Sequence, residues 1–254
     1  MGKVLLLILS IFFLATALFS GHQLWQHFAK EQEVAERFCE LSGKKKQQLA
    51  DAPKQQEKTK PPLSPEWTPY DQYGELFAQN HDMIGWISID GTRMDYPVMQ
   101  TTDQPNFYLK HGFDKRYSGY GVPYISEECT IDPQSDNTTI YGHNIKSGKM
   151  FGVLEKYKNK AFYHEHPLIS FDTRIGFGTY EIIAVFKVHP DDFQYNLFVN
   201  ASDQVEFDDY VNRCKTLSLY DTEVVACYGD KLISLSTCEY SQPGNRLVVV
   251  ARKA

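Results

Sequence analysis

The residue of this chain best suited to covalent catalysis is a cysteine just past a predicted strand. Residues 231–236 alternate in character and are rich in β-forming types, and Cys238 follows two residues later. Ser-Gln-Pro-Gly-Asn at 241–245 predicts a turn, and the apolar run 246–252, which begins with Arg246, predicts a second strand. Such strands pair antiparallel, so Cys238 and Arg246 should meet at one end of the hairpin. A neighbouring guanidinium favours the thiolate, the nucleophilic form of cysteine.

A thiolate enzyme also needs a group that transfers protons, and His143 is the best candidate among the eight histidines. It follows a predicted strand at 138–141, so it stands at the end of a strand as Cys238 does. It lies far upstream of Cys238, so any contact between them is tertiary. This order excludes the papain-like arrangement, in which the cysteine comes first.

Groups that can stabilise a negatively charged acyl intermediate lie beside the cysteine. The guanidinium of Arg246 can stabilise both the thiolate and the oxyanion of a tetrahedral intermediate. The backbone amides of Thr237 and Glu239 are candidates for further oxyanion donors. Together with the thiol and the imidazole, these groups indicate acyl transfer.

The length and composition of the chain exclude some classes of function. The chain has 254 residues, room for one sizeable domain with appendages, and its 42% hydrophobic content supports a core. A net charge of −6 without a basic, aromatic-interleaved surface argues against nucleic-acid binding. The five cysteines form no CxxC pair, and His164 and His166 have no third ligand in sequence. We therefore expect no metal, no cofactor and no dense disulfide framework.

The N-terminus carries an apolar, uncharged run at 4–20, which predicts a membrane-spanning anchor, with Trp25 suited to the interface. The alternative is a signal peptide cleaved near Ala15-Thr16-Ala17. Both interpretations place the rest of the chain outside the cytoplasm. We therefore predict a single-pass protein of the cell membrane, with its catalytic domain on the extracellular face.

The chain divides into three predicted segments. Residues 1–25 form the membrane anchor, and 26–66 form a juxtamembrane helix and a polar linker rich in Lys, Gln and Pro. Residues 67–254 form the catalytic domain, which is mainly β. Its predicted helices are 70–80, 150–157 and 203–217, and its predicted strands are 84–89, 92–100, 121–126, 138–141, 168–172, 178–188, 223–228 and the closing pair. So many strands with few helices predict a closed or nearly closed β-barrel.

These motifs together resemble the sortases, and class B sortases in particular. The resemblance is carried by Leu235-Ser236-Thr237-Cys238 with Arg246 and by Tyr141-Gly142-His143-Asn144 upstream. Segments at 84–87 and 95–100 support it, and it covers roughly residue 70 to the C-terminus. It implies a closed eight-stranded sortase-type β-barrel, with an N-terminal helix and one long helix before the last strands.

The resemblance implies a cysteine transpeptidase that cleaves a C-terminal sorting motif of secreted surface proteins. The peptide forms a thioester with Cys238 and is then joined to an amine of a peptidoglycan precursor. His143 would be the general acid and base, and Arg246 the cation that orients the oxyanion or the substrate. The enzyme would act as a monomer without a cofactor. The positions that match the peptide groove are Leu109, Phe193, Tyr195, Ser236, Thr237 and Glu239.

The chain departs from the family pattern at one position. Some class B relatives have an acid two residues after the cysteine, where this chain has Tyr240. The resemblance therefore supplies no carboxylate as a third member of the site.

Two alternatives stay open at the level of sequence. One is a pilin-polymerising sortase, whose acceptor is a lysine of another pilin, although no clear lid segment precedes the barrel. The other is a membrane-tethered β-barrel binding module without catalysis. Such a module would have no need for Cys238, His143 and Arg246 together.

Overall fold

The structure is a computed structural model in which residues 2–50 and 68–254 are described, without the side chains of 2–11, 27, 46 and 48–50. The chain divides into two compact units, Met1–Lys44 and Lys45–Ala254. Helix α1 spans Gly2–Ala50. The predicted polar linker lies partly outside the described residues, since 51–66 are not described. The predicted segment boundaries therefore stay predictions.

The predicted N-terminal membrane anchor is corrected by the structure. Its apolar run at 4–20 is at the lower limit of about 17 residues for a bilayer crossing. It belongs to helix α1, which continues through polar residues to Ala50. In the described part of the chain, no helix has both the length and the apolar character that a crossing requires. The prediction of a single-pass protein of the cell membrane with an extracellular catalytic domain is therefore wrong.

The second unit contains a closed β-barrel of eight strands, which confirms the predicted fold class. The strands are β1 Met83–Ser88, β2 Asp95–Met99, β3 Tyr124–Ile125, β4 Asn137–Tyr141, β5 Leu168–Thr173, β6 Thr179–Val188, β7 Leu232–Cys238 and β8 Arg246–Lys253. Their order around the barrel is β1-β2-β3-β4-β7-β8-β6-β5. Neighbours are antiparallel except for β2 with β3 and β4 with β7, which are parallel.

The helices lie between these strands. Helix α2 spans Pro69–Gln79, α3 spans Lys160–Glu165 and α4 spans Gln204–Leu217. Two 3₁₀ helices, Phe107–Leu109 and Phe151–Lys158, complete the set among the described residues. The helix predicted at 150–157 is thus a 3₁₀ helix, and the long helix predicted before the last strands is α4.

Helix α4 packs on the outer face of the barrel beside the last strands. Phe207, Tyr210 and Val211 on its apolar face are buried in one cluster with Phe186 of β6 and Val248 of β8. Apolar residues recur at helical spacing along α4, so one side of the helix covers this part of the sheet.

The strand predicted at 223–228 does not form, because the closed barrel leaves it no edge to pair with. Strand β6 is already paired with β5 and β8, and β7 with β4 and β8. Glu223 has a positive φ of 63°. The amide of Cys227 donates to the Asp230 carboxylate at 2.9 Å instead of to a neighbouring strand.

Candidate active site

The register of three neighbouring strands brings the three predicted catalytic residues to one end of the barrel. Strands β4 and β7 run parallel, and their last pair is Tyr141 with Ser236. Two residues beyond that pair come His143, just past the end of β4, and Cys238, the last residue of β7. The last pair of β7 and β8 is Cys238 with Arg246, as the predicted hairpin requires. These elements therefore bring Cys238, His143 and Arg246 to the same end of the barrel.

Cys238 is a free, partly exposed thiol. Because side chains alternate along a strand, it lies on the same face of β7 as Ser234 and Ser236. Those two hydroxyls are hydrogen-bonded to the hydroxyls of Tyr210, at 3.0 Å, and Tyr195, at 2.6 Å. The outer face of β7 is thus covered up to Ser236 and opens at Cys238.

His143 is held by its backbone and by its ring. The Phe151 amide donates to the His143 carbonyl at 3.0 Å, and the Gly142 amide donates to the Ser236 carbonyl at 3.2 Å. A Cβ on Gly142 would lie 2.6 Å from the ring of Phe151, so only glycine fits beside the histidine. The ring Nε2 lies 2.8 Å from the carbonyl oxygen of Leu109.

Arg246 is anchored by the turn that precedes it. Its Nη1 donates to the carbonyls of Gly244, at 2.9 Å, and Asn245, at 3.2 Å. Burial raises the pKa of Tyr195, and its hydrogen bond with Ser236 and the positive charge of Arg246 counteract part of this rise. The cation therefore acts electrostatically on the covered face of β7.

Ser236 and its partner Tyr195, two of the predicted substrate-binding residues, lie on the same face of β7 as Cys238, whereas Thr237 lies on the opposite face. Tyr195 and Ser236 are each 2% exposed and hydrogen-bond to each other. Thr237, also buried, donates from its hydroxyl to the Gly142 carbonyl at 2.7 Å. This last bond ties the strand of the cysteine to the strand of the histidine.

The two predicted substrate-binding residues with purely apolar side chains, Phe193 and Leu109, lie on separate segments. Phe193 follows β6 and packs its ring 6.0 Å from that of Phe186 and 5.8 Å from that of Tyr210, measured between centroids. Leu109 ends the first 3₁₀ helix and is partly exposed. The roles of all these positions in peptide binding stay predictions.

The carboxylate of Glu239 is already hydrogen-bonded to other residues of this chain. Its side chain is 3% exposed and accepts hydrogen bonds from Lys158 Nζ at 2.6 Å and from the Ser241 amide at 3.0 Å. Burial alone would raise the pKa of Glu239, but these bonds lower it to about 2. Its backbone amide donates to the Asn245 carbonyl at 2.9 Å. In this structure the amide is thus engaged by the turn, and its role as an oxyanion donor stays a prediction.

The structure adds supporting residues that the sequence did not single out. Asn144 donates from Nδ2 to the Cys238 carbonyl at 2.7 Å and to the Glu155 carboxylate at 3.0 Å. Lys158 joins Glu155, at 2.7 Å, to Glu239. Asn144 stood beside His143 in the quoted motif, which was the only available signal for it.

Comparisons with known proteins agree with this geometry. The Sortase domain family matches residues 87–254. Sortase B of Listeria monocytogenes serovar 1/2a is 34% identical over 169 residues, which cover 66% of this chain and 68% of that protein. Sortase B of Staphylococcus aureus is 27% identical over 253 residues, which cover 98% and 97%.

A solved structure described as a Staphylococcus aureus sortase B-substrate complex is also similar. It superposes with a TM-score of 0.76 at 26% identity and covers 89% of this chain and 98% of that one. These matches do not favour the pilin-polymerising or the non-catalytic alternative. Family match, relatives and barrel agree: this chain belongs to the sortase family of cysteine transpeptidases, and within it to class B.

Proposed function

We propose that Cys238 is the nucleophile of this class B transpeptidase, His143 its general acid and base, and Arg246 the cation that stabilises the oxyanion or orients the substrate. The observation that carries the proposal is the register of β4, β7 and β8, which ends with these residues at one mouth of the barrel. Catalysis is assigned to residues 67–254. All the groups involved come from one chain, so a monomer suffices.

The first half-reaction cleaves the sorting motif. The Cys238 thiolate attacks the threonyl carbonyl carbon of the motif, and the resulting tetrahedral oxyanion is stabilised by the Arg246 guanidinium. The peptide C–N bond breaks as His143 gives its proton to the leaving amine. The products are a thioester on Cys238 and the released C-terminal peptide.

The second half-reaction transfers the acyl group. An amine of a peptidoglycan precursor attacks the thioester carbon, and His143 accepts the proton that this amine loses. The C–S bond breaks, an amide forms and the thiolate of Cys238 is restored. One imidazole thus serves both steps, because it is protonated in one and neutral in the other.

The peptide groove is proposed to lie where the outer face of β7 opens, at Cys238. The solved Staphylococcus aureus relative is described as a substrate complex, which supports a peptide site in this fold. The proposed groove residues are Leu109, Phe193, Tyr195, Ser236, Thr237 and Glu239. Because the carboxylate of Glu239 is bound by Lys158, its contribution is to hold the turn beside the groove.

The test uses the full chain with a peptide library of LPxTG-like and NPxTN-like motifs, with and without triglycine as an amine. We expect Cys238→Ala to abolish cleavage and to prevent thioester formation, which mass spectrometry detects, while the protein stays folded. Cys227→Ala removes another exposed thiol and is the matched control, with activity retained. Turnover that survives in Cys238→Ala would overturn the assignment of the nucleophile.

A further inference from the structure

We infer that the backbone carbonyl of Leu109 orients the catalytic imidazole, and that Gly121 is the positioning residue that keeps this carbonyl in place. The inference rests on the proposed role of His143 as general acid and base. It assigns to a carbonyl the place that a carboxylate takes in Ser-His-Asp triads and an asparagine side chain takes in papain-like proteases.

The contact determines which ring nitrogen carries the hydrogen. His143 Nε2 lies 2.8 Å from the carbonyl oxygen of Leu109. A carbonyl oxygen only accepts hydrogen bonds, so Nε2 is the donor. A neutral imidazole has a single N–H, and Nδ1 therefore holds the lone pair. Nδ1 is then the nitrogen that exchanges protons with the leaving and incoming amines.

The two side chains nearest to the cysteine in sequence that could compete for this role are engaged elsewhere. The Glu239 carboxylate accepts from Lys158 and Ser241. Tyr240, which stands where some relatives have an acid, donates from its hydroxyl to the Asn144 carbonyl at 3.3 Å. The carbonyl of Leu109 is thus the acceptor that the fold presents to the ring.

The 3₁₀ helix Phe107–Leu109 that presents this carbonyl is tied down on both sides. Its first hydrogen bond, from the Leu109 amide to the Asn106 carbonyl, is 3.0 Å long, and the Tyr124 hydroxyl donates to the Asn106 side chain at 2.8 Å. Tyr108 is 1% exposed, and its hydroxyl donates to Asp82 at 2.8 Å. A carbonyl on such a restrained segment can hold a ring in one orientation.

Gly121 packs directly against the same backbone. It has a positive φ of 56°, and a Cβ at this position would lie 2.6 Å from the carbonyl oxygens of both Tyr108 and Leu109. The next residue, Val122, donates from its amide to the Tyr108 carbonyl at 3.1 Å, so the two segments cannot separate freely. A side chain at position 121 would therefore displace the Leu109 carbonyl from the ring.

The first test measures the tautomer directly in the full chain. ¹⁵N NMR of histidine-labelled protein, at a pH where the ring is neutral, separates the protonated nitrogen from the one with the lone pair. The signals of His143 are those lost in His143→Gln. We expect Nε2 to carry the proton; a ring protonated at Nδ1 would overturn the inference.

The second test is Gly121→Ala. We expect kcat for the sorting-motif peptide to fall on the order of 100-fold, because a displacement of about 1 Å in a catalytic group has that effect. KM should change less than about twofold, since the added methyl group meets backbone carbonyls and not the side chains proposed to line the groove. The Nε2-protonated signal should also weaken. Unchanged kcat with unchanged ring signals would contradict the role of Gly121.

Two control variants separate this contact from general effects of an added methyl group. Gly119→Ala lies in the same loop, and Gly229→Ala has a positive φ of 102°; no described atom lies within 4 Å of a Cβ at either position. Both should keep wild-type kinetics and ring signals. If Gly121→Ala fails to fold, the tautomer of the wild-type ring decides the matter.

The outcomes also separate this inference from the proposed function. Full activity in His143→Gln would remove the acid–base role itself. An inactive His143→Gln together with a ring protonated at Nδ1 would leave that role intact and reject only the part played by the Leu109 carbonyl.

Discussion

At the residue scale, the guanidinium of Arg246 is bonded to the turn that precedes it. Its Nη1 is bonded to two carbonyls of its own turn, at Gly244 and Asn245, so the planar group is held in one orientation. Gly244 has a positive φ of 84°, which lets the turn bring its carbonyl towards the side chain. The charge is thus fixed at the start of β8, on the residue that pairs with Cys238.

This geometry predicts that charge alone does not replace Arg246. We expect Arg246→Lys to lower kcat/KM about 100-fold, since an ammonium lacks the planar fork that bonds the turn and an oxyanion at once. Arg252→Lys, at the other end of β8 and paired with Glu181, is the matched control and should keep its activity. Peptide-cleavage kinetics measure both. Near-normal rates for Arg246→Lys would show that its role is purely electrostatic.

At the scale of elements, a polar network joins three segments around the site. Asn144 links the loop of His143 to the 3₁₀ helix Phe151–Lys158 through Glu155. Lys158 continues the network to Glu239, which holds the amide of Ser241 in the turn between β7 and β8. The loop, the helix and the turn are thereby held in one arrangement at the end of the barrel that carries His143, Cys238 and Arg246.

The network predicts a pH-dependent contribution to stability. The pKa of Glu239 is about 2 in the folded protein and near 4.5 when it is unperturbed. A lowered folded pKa means that its stabilisation is complete above about pH 4.5 and is lost as the pH falls towards about 2. We expect Glu239→Gln to reduce the unfolding free energy at pH 7 by on the order of 2 kcal/mol.

Chemical denaturation of both proteins at pH 7 and pH 3 checks this. The difference between wild type and Glu239→Gln should shrink at the lower pH, because the wild-type carboxylate begins to be protonated in the unfolded state. A difference that stays constant with pH would contradict the ion pair as its source.

At the scale of the whole molecule, helix α4 packs on the barrel behind the strand that carries Cys238. Phe207 of α4 is fully buried in the cluster with Phe186 and Val248, on the outer face of β6 and β8. Tyr210 of the same helix reaches the hydroxyl of Ser234 on β7. The helix thus stabilises the strand face that ends at the cysteine.

We therefore expect Phe207→Ala to lower the unfolding free energy by about 4 kcal/mol, since a large aromatic side chain leaves a cavity that the packed barrel cannot close. Val205→Ala, on the same helix but 68% exposed, should change it by about 0.5 kcal/mol or less. Equilibrium denaturation measures both. Equal effects of the two changes would mean that α4 does not pack as described.

Several features of the fold and of the candidate site could be predicted from short stretches of the sequence. The alternation of β7, the turn at 241–245 and the apolar β8 were enough to predict that Cys238 faces Arg246, because hairpin pairing depends on neighbours along the chain. The motif around His143 indicated a candidate base, and the number of strands indicated a barrel. The length of a short apolar run, in contrast, was not enough to establish a membrane anchor.

Only the tertiary structure decided how these parts meet. The parallel pairing of β4 with β7 places His143 beside Cys238, although no local signal sets that register. Closure of the barrel removed the edge on which a strand at 223–228 would have paired. The carbonyl of Leu109 reaches the imidazole, and Glu239 is bound by Lys158, through contacts between segments far apart in sequence. Such contacts depend on backbone groups and on packing geometry, which residue types along a chain do not specify.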